Sequence, residues 1–418
     1  MQKGVWILMA SLVAPLAPAG GAAVLAKATP GEQTQFGTPA LHWHVDADDL
    51  DGAKKLLQAG ADPNSLTERG ISPLSLAIAN GNTAMVELLL KAGAKAGQLE
   101  PNGETLLMRA AEVGVLPVVQ LLLKHGAGVD VREARFGQTA LMFAARAGHA
   151  DIVAALLAAG ANPKVATLVG PAPAFIAPNS VPGFGFGVGI LRGGVPADRG
   201  RREPQPGGLT PLHYAARHDQ VEVAKLLLKA GAEVNAREAN DITPLLMAIS
   251  NDNTAAAQYL LAHGGDVNAQ DWYGRSPLWE AVNVRNLYVH NATFKNGIDR
   301  APVLELVKAL LAAGADVNAR TKETPPFRHH LLEITGSLEW VDFTGQTPFL
   351  TAALAGDTTV MKLLLQQGAD PRINTFGGTS PLMAAAGVNW VVAQTWTEGP
   401  QQLLEAVKLC HGLGMDVN

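Results

Sequence analysis

Residues 208–240 read GLTPLHYAARHDQVEVAKLLLKAGAEVNAREAN, and this stretch decides the fold. The Thr210 hydroxyl can accept a backbone N–H, and Pro211 follows at the first helical position, where a missing N–H has no consequence. Together they predict the start of a helix. A second helix follows, and the leucines of 226–228 supply apolar area worth about 25 cal/mol per Å² buried. Gly231 fits the left-handed conformation that ends such a helix.

The same helix–turn–helix pattern recurs along the chain at a nearly fixed period. Its starting residues are Gly37, Gly70, Gly103, Gly137, Gly208, Asp241, Gly274, Gly345 and Gly378. The successive spacings are 33, 33, 34, 71, 33, 33, 71 and 33 residues, and each spacing of 71 is one repeat plus 38 extra residues. A Ser/Thr-Pro-Leu-like box follows most starts after two positions, and each repeat closes on Gly-Ala or a near variant. A period of this kind indicates stacked repeats with a continuous core.

The pattern Gly-x-Thr-Pro-Leu-His-x-Ala-Ala…Leu-Leu-Leu-x-x-Gly-Ala-Asp-Val-Asn resembles the ankyrin repeat, whose period and box it shares. The resemblance covers nine repeats, or roughly 300 of the 418 residues. It implies an all-α repeat solenoid of stacked helix–turn–helix units, with β-hairpin fingers between repeats. It also implies that the box histidines brace neighbouring loops by hydrogen bonding. The fifth repeat is nearest to the family pattern, and its structural positions are Thr210, Pro211, Leu212, His213 and Gly231.

Composition limits the class of protein. Hydrophobic residues make up 48% of the chain and charged residues 17%, so most of it can bury a core. The 44 glycines are in excess because glycine opens and closes nearly every repeat. The net charge of −5 argues against a general nucleic-acid binder, which needs a basic surface to displace counterions. Cys410 is the only cysteine, which excludes intramolecular disulfides and zinc sites with two or more thiolates.

The N-terminus predicts export. Lys3 precedes a long uncharged stretch with a short apolar segment, and helix-breaking prolines and glycines follow it. We interpret residues 1–26 as a signal peptide and residues 27–36 as a linker, with a mature start near Lys27 or Thr29. The alternative is an uncleaved N-terminal membrane anchor, since the uncharged stretch is long enough to span a bilayer. The expected location is therefore periplasmic or secreted.

Four insertions interrupt the repeats. Repeats one to four occupy residues 37–167, and a Pro/Gly/Phe-rich insertion at 168–207 separates them from repeats five to nine at 208–418. Further insertions lie near 285–300, 321–341 and 388–399. Part of the first insertion is uncharged over the length of a membrane span, but its prolines and alternating glycines exclude a continuous helix. Because insertions must loop out of a solenoid, they mark places where individual function can reside.

Aromatic residues near several repeat starts are candidates for partner contacts, because large rigid side chains dominate binding energy at interfaces. In the family that the chain resembles, fingers and first helices line a concave groove where partner proteins bind. The candidates are Phe136, Trp272, Tyr273, Trp340, Phe343 and Phe376. The alternative is that each ring folds onto its own repeat as minor core.

Signals for catalysis or cofactor binding are weak. His329 and His330 are adjacent rather than spaced by four, which is a poor metal-ligand pattern. The glycine-rich run at 183–189 lacks the flanking elements and the Lys-Ser/Thr of a phosphate-binding loop. Cys410 aligns with the middle of the leucine triplet, which indicates a buried apolar role. We therefore expect no catalytic residue, no cofactor and no metal.

These observations lead to one main functional hypothesis and two alternatives. The main hypothesis is a non-catalytic protein–protein interaction scaffold that binds a partner protein through the groove and fingers in an exported compartment. We expect a monomer, no nucleic-acid ligand and no stable membrane insertion of the mature chain. One alternative is the regulatory portion of a larger exported enzyme or redox protein that continues beyond residue 418. The other is a membrane-surface adaptor that uses the Phe- and Gly-rich insertion.

Overall fold

The computed structural model of the chain describes residues 38–170, 205–286, 300–323, 344–388 and 400–415. Two compact units divide the chain. The N-terminal unit consists of residues 1–135, 139–144 and 154–161, and the C-terminal unit consists of residues 136–138, 145–153 and 162–418. Each unit is described by itself below.

Helices in consecutive pairs make up the described chain. They are α1 (Ala40–Asp46), α2 (Leu50–Gln58), α3 (Pro73–Ala79), α4 (Thr83–Lys91), α5 (Leu106–Val113), α6 (Leu116–Lys124), α7 (Ala140–Ala147), α8 (Ala150–Ala158), α9 (Pro211–Arg217), α10 (Val221–Lys229), α11 (Pro244–Ser250), α12 (Thr254–Ala262), α13 (Pro277–Asn286), α14 (Ala301–Ala312), α15 (Pro348–Ala355), α16 (Thr358–Gln366), α17 (Pro381–Ala385) and α18 (Pro400–Gly412). Each pair is one repeat, so that α1 and α2 form repeat 1 and α17 and α18 form repeat 9. The all-α repeat solenoid expected from the sequence is confirmed.

Side-chain caps start the first helices, as the Ser/Thr-Pro box predicts. The hydroxyls of Ser72 and Thr347 accept backbone N–H groups three residues later, at 3.1 and 3.2 Å. In repeat 5 the Thr210 hydroxyl also lies 2.8 Å from Nδ1 of His213. The same ring nitrogen accepts the Thr210 N–H at 3.2 Å. α9 therefore begins with a capping box, in which Thr210 and His213 cap each other.

The second helices bury one narrow stripe of apolar side chains. In α10, Val223, Ala224 and Leu227 are at most 1% exposed. After the helix, Gly231 has a φ of +90°, and a Cβ added there would meet no atom within 4 Å. Glycine is thus favoured at this position by its backbone conformation and not by lack of space.

Asparagines of the closing Val-Asn segments join one repeat to the next in the C-terminal unit. The Asn235 side chain accepts the backbone N–H of Asp266 at 2.7 Å and donates to the carbonyl oxygen of Gly264 at 2.9 Å. Asn268 makes the same two bonds, to Asp316 and Gly314. The sequence pattern contained these asparagines, but their bracing role becomes visible only in the structure.

The β-hairpin fingers implied by the resemblance do not form regular strands in the described residues. The connectors between repeats are tight turns, and in the N-terminal unit one isolated antiparallel pairing joins Leu99 and Thr105. Each turn spans too few residues to build a ladder of backbone hydrogen bonds. Every helix in the described part of the chain is also too short or too polar to span a bilayer.

Candidate functional site

The connectors of the C-terminal unit share one turn geometry. In the connector after α10, the Glu238 N–H donates to the carbonyl of Ile242 at 3.2 Å, and the Asp241 N–H donates to the carbonyl of Glu238 at 3.0 Å. The Glu238 carboxylate also accepts the Ile242 N–H at 3.1 Å. We call Glu238 the anchor of its turn. Asp271 and Thr375 are the corresponding anchors, and each accepts the N–H four residues later.

The two connectors that carry long insertions keep the same turn at their bases. The Thr167 hydroxyl accepts the N–H of Leu209 at 2.9 Å, across 42 residues. The Thr321 hydroxyl accepts the N–H of Gln346 at 2.9 Å, across 25 residues. An uninterrupted turn spans four residues, so the two insertions add 38 and 21 residues to the same geometry. The first length equals the 38 extra residues of its repeat spacing, and the second accounts for 21 of the 38 extra residues of the other spacing, the rest of which lie near 285–300. Both insertions begin and end within a turn.

Neighbouring turns are tied to each other through the backbone. The Trp272 N–H donates to the carbonyl of Asn240 at 3.0 Å, and the Phe376 N–H donates to the carbonyl of Thr344 at 3.0 Å. The Asn240 side chain also bonds both backbone polar groups of Gln205, at 2.9 and 2.8 Å. The side chains on these turns are therefore displayed from a backbone that is fixed on both sides.

Two of the predicted aromatic candidates occupy the same place on different turns. Trp272 and Phe376 each directly follow an anchor, and they are 38% and 61% exposed. Phe136, which precedes the start of repeat 4, is 49% exposed. An exposed ring on an ordered turn is a good anchor for a partner, because little conformational freedom is lost on binding.

The remaining aromatic candidates differ from these. Tyr273 is only 6% exposed, and the Arg275 guanidinium lies 5.6 Å from its ring centre. Its ring is packed within the repeats, so the minor-core alternative describes Tyr273 better than a surface contact does. Trp340 and Phe343 lie outside the described residues.

Arg320 adds a contact that sequence reasoning missed. Its guanidinium lies over the Phe376 ring, 4.3 Å from the ring centre. It donates from Nη2 to the carbonyl of Asn374 at 2.6 Å and from Nε to the carbonyl of Gly345 at 3.2 Å. Arg320 therefore holds together the base of the second long insertion, the following turn and the exposed ring. We call Trp272, Arg320, Lys322 and Phe376 the connector surface.

Comparison with known families agrees with this architecture. A family model described as "Ankyrin repeats (3 copies)" matches residues 19–99, 41–133 and 74–167. A model described as "Ankyrin repeats (many copies)" matches residues 212–261. Two models described as "Ankyrin repeat" match residues 344–373 and 273–322.

These matches together span about two thirds of the chain. The chain belongs to the ankyrin-repeat family. It is accordingly a protein–protein interaction scaffold. Curated proteins provided no match.

The box histidine of this ankyrin-repeat protein braces two repeats. His213 is fully buried, and its Nε2–H donates to the carbonyl of Ile242 in the next connector at 3.0 Å. That bond leaves Nδ1 as the acceptor for Thr210, and the ring is therefore neutral. Burial lowers the pKa of His213 to about 4. Pro211 and Leu212 are buried beside it.

The first helices of the C-terminal unit offer few side chains to a partner. All eight residues of α15 are buried, and in α9 only Arg217 is exposed. In these two repeats the first helices therefore expose almost no side chains with which a partner could make contact in the expected groove. Exposed aromatic area is found on the connector turns instead, which places the candidate site there.

A buried charge cluster supports the turn that carries Trp272. The Arg275 Nε donates to Oδ2 of Asp271 at 2.7 Å, and Nη1 lies 3.6 Å from Oε1 of Glu280. All three side chains are at most 8% exposed. The Ser250 hydroxyl donates to Glu280 at 2.8 Å. Burial raises the pKa of Asp271, and the Arg275 charge offsets part of that rise.

The described residues contain no group of three or more His, Cys, Asp or Glu side chains placed to hold a metal ion. His329 and His330 lie outside this part of the chain. Cys410 is buried on α18, and burial raises the pKa of its thiol to about 11. A thiol with so high a pKa is a poor nucleophile at neutral pH.

Proposed function

We propose that this ankyrin-repeat protein binds a partner protein through the connector surface of its C-terminal unit, in an exported compartment. The observation that carries the proposal is the pair formed by Trp272 and Phe376. Both rings are exposed, both follow an anchor residue, and both stand on turns whose backbone is bonded to the neighbouring turn. A partner that covers them gains apolar contact without ordering flexible loops.

The Arg320 guanidinium at the connector surface would orient a bound partner. Arg320 is already held by two carbonyl oxygens and by the Phe376 ring, so its planar charge has a fixed position. Lys322 on the same turn is exposed. Aromatic and arginine side chains are the types most enriched among residues that dominate interfaces. The partner surface complementary to this arrangement is apolar where it meets the rings.

The exported location rests on the sequence alone. Residues 1–26 have the charge and apolar pattern of a signal peptide, and they precede the described residues. The proposed compartment is periplasmic or extracellular, with an N-terminal membrane anchor as the alternative. N-terminal sequencing of the exported protein tests this part separately: a start near Lys27 or Thr29 supports it, and a start at Met1 contradicts it.

The binding proposal is tested by substitution of the two exposed rings. The partner is captured from the exported fraction on immobilised wild-type protein, and its affinity is then titrated against Trp272→Ala and Phe376→Ala. Each truncation of such an anchor costs about 2 kcal/mol or more, which weakens binding at least about thirtyfold. The free energy of unfolding should fall by less than about 1 kcal/mol, because both rings are exposed and Phe376 loses only its contact with Arg320.

Val113→Ala is the matched control. Val113 has an exposed fraction of 39%, similar to the 38% of Trp272. It lies at the end of α5, outside the connectors. Its truncation should leave partner affinity within about twofold. Equal affinity of the wild type and both ring variants for every captured protein would overturn the proposal.

A further inference from the structure

Two asparagine–glycine steps lie in the described residues, at Asn80–Gly81 and Asn102–Gly103, both in the N-terminal unit. A third, Asn296–Gly297, lies outside the described residues. Such a step is chemically unstable, because the backbone nitrogen of the glycine can attack the asparagine side chain and no Cβ hinders that attack. Asn80 and Asn102 are both exposed. Their surroundings differ, and this difference determines which of the two reacts.

The Asn80–Gly81 step is held by packing. Asn80 caps the C-terminus of α3, and its side-chain amide nitrogen lies 3.4 Å from the backbone carbonyl oxygens of Val45 and Asp46 in repeat 1. On the other side, a Cβ added at Gly81 would lie 3.2 Å from Cγ2 of Val115 in repeat 3. Movement of this step therefore disturbs a helix end and contacts with both neighbouring repeats.

The Asn102–Gly103 step stands on a connector turn with open space around its glycine. A Cβ added at Gly103 would meet no atom within 4 Å. The Gly103 N–H donates to the carbonyl of Glu100 at 2.8 Å, and the Glu100 N–H donates to the carbonyl of Glu104 at 2.8 Å. Release of the Gly103 nitrogen breaks the first of these bonds and displaces no side chain packed on the glycine. Exposed turns of this kind open at a low free energy.

The side-chain carbonyl of Asn102 is polarised towards attack. Its Oδ1 accepts the backbone N–H of Glu104, two residues on, at 3.0 Å. That bond draws electron density away from Cγ, the atom that the nitrogen must reach. Among the described residues, none accepts a hydrogen bond from Nδ2 of Asn102, which is the group that leaves. In Asn80 the same amide nitrogen is the atom that repeat 1 holds.

We propose that Asn102 is a site of spontaneous deamidation. The Gly103 nitrogen loses its proton to hydroxide and bonds to Cγ of Asn102, the Cγ–Nδ2 bond breaks, and ammonia leaves with a proton taken from water. Water then adds to one of the two carbonyl carbons of the resulting succinimide and opens the ring. The product is aspartate or isoaspartate. Water is consumed, hydroxide is regenerated, and nothing is oxidised or reduced.

The isoaspartate product changes the turn between repeats 2 and 3. It adds one methylene to the backbone between positions 102 and 103, inside the turn that the two backbone bonds of Glu100 close. The buried Glu100 carboxylate binds Ser75 of repeat 2 and Arg109 of repeat 3. Lengthening of this turn therefore displaces a side chain that joins the two repeats, and stability should fall.

Ageing of the full chain in water enriched in heavy oxygen, followed by peptide mapping with mass spectrometry, tests the proposal. The peptide that contains Asn102 should lose ammonia and take up one heavy oxygen atom, and it should do so faster at alkaline pH because hydroxide is the catalyst. Reaction at Asn102 should be at least about tenfold faster than at Asn80, since an exposed turn opens more readily than a packed helix end. Asn80 thus serves as a control within the same molecule.

Asn102→Ser is the control variant, because serine keeps a side-chain oxygen for the Glu104 N–H but has no amide to lose. Aged wild-type protein should contain isoaspartate and unfold at a lower temperature than fresh protein, whereas ageing should leave Asn102→Ser unchanged. Equal rates at Asn102 and Asn80, or a product without heavy oxygen, overturn the proposal. A modified wild type that unfolds at the temperature of fresh protein overturns the effect on the turn.

Discussion

Replacement of Arg275 by methionine should destabilise the C-terminal unit strongly. Methionine keeps much of the length and apolar volume of the arginine stem but removes its charge and its hydrogen bonds. In the native protein the guanidinium contacts Asp271 at 2.7 Å and Glu280 at 3.6 Å, and it is shielded from water. The variant leaves two carboxylates buried without this cation.

The size of the effect follows from burial. Removing one partner of a buried ion pair costs about 3–5 kcal/mol of the free energy of unfolding, because the remaining charge is left in a medium of low polarity. The exposed pair of Arg237 and Asp241 provides a matched control, since it has the same residue types and the same spacing of four. Its atoms are 3.7 Å apart and both side chains are about half exposed, so Arg237→Met should cost less than about 1 kcal/mol.

The deficit should shrink in acid. Burial raises the pKa of Asp271, and loss of Arg275 removes the charge that offsets the rise. The folded variant then binds a proton more tightly than the unfolded chain does. Stability therefore increases as the pH falls through the raised pKa of the folded state. The difference in unfolding free energy between the Arg275→Met variant and the wild type should be smaller near pH 5 than near pH 7.

Urea denaturation followed by tryptophan fluorescence measures both effects. Trp279 is 1% exposed on α13, which also carries Glu280, so its emission reports on this region. We expect a large loss for Arg275→Met at neutral pH, partly recovered in acid, and a small loss for Arg237→Met. Losses of the same size for the two variants, or a deficit that does not change with pH, would refute the reasoning.

Three further predictions concern the repeat itself. Gly231→Val should cost about 1–2 kcal/mol in thermal denaturation because of the positive φ, and Gly231→Asn should cost less; equal stability of all three proteins would contradict the backbone argument. Burial lowers the pKa of His213 from 6.5 to about 4, so its contribution is complete above pH 6.5 and is lost as the pH falls toward 4. His213→Leu, which matches Leu246 and Leu350, should lose about 1 kcal/mol at pH 7 and reduce this acid sensitivity, and an unchanged slope in urea titrations would count against it. Deletion of residues 170–207 leaves a turn of uninterrupted length between Thr167 and Leu209 but removes the two bonds between Asn240 and Gln205, so unfolding free energy should fall by no more than about 2 kcal/mol; loss of helix content would contradict the shared turn geometry.

The features that sequence reasoning predicted correctly depend on local chemistry. The box at Ser72 and Thr347 requires only that a hydroxyl and a proline stand at the start of a helix, and the structure has both caps. The insertion lengths follow from the constant period, and the anchors Thr167 and Thr321 show that the turn closes in the same way around each insertion. These features recur because each repeat needs the same helix cap and the same turn closure, and residues close in sequence provide both.

The features that sequence reasoning missed depend on residues far apart in the chain. Arg320 meets Phe376 only because the intervening insertion and repeat return to the neighbouring turn. Tyr273 and Trp272 are adjacent in sequence, yet one ring is buried and the other is exposed. Both are aromatic residues, so the sequence does not distinguish them. Only the packing of the neighbouring turns decides which ring is buried.

Hydrogen exchange on the complex with its captured partner tests most directly whether the connector surface is the binding site. The account predicts slower amide exchange on partner binding in the turns at 270–275 and 374–378, with little change in α10 and α12. Slowing confined to those second helices, with the two turns unaffected, would contradict it.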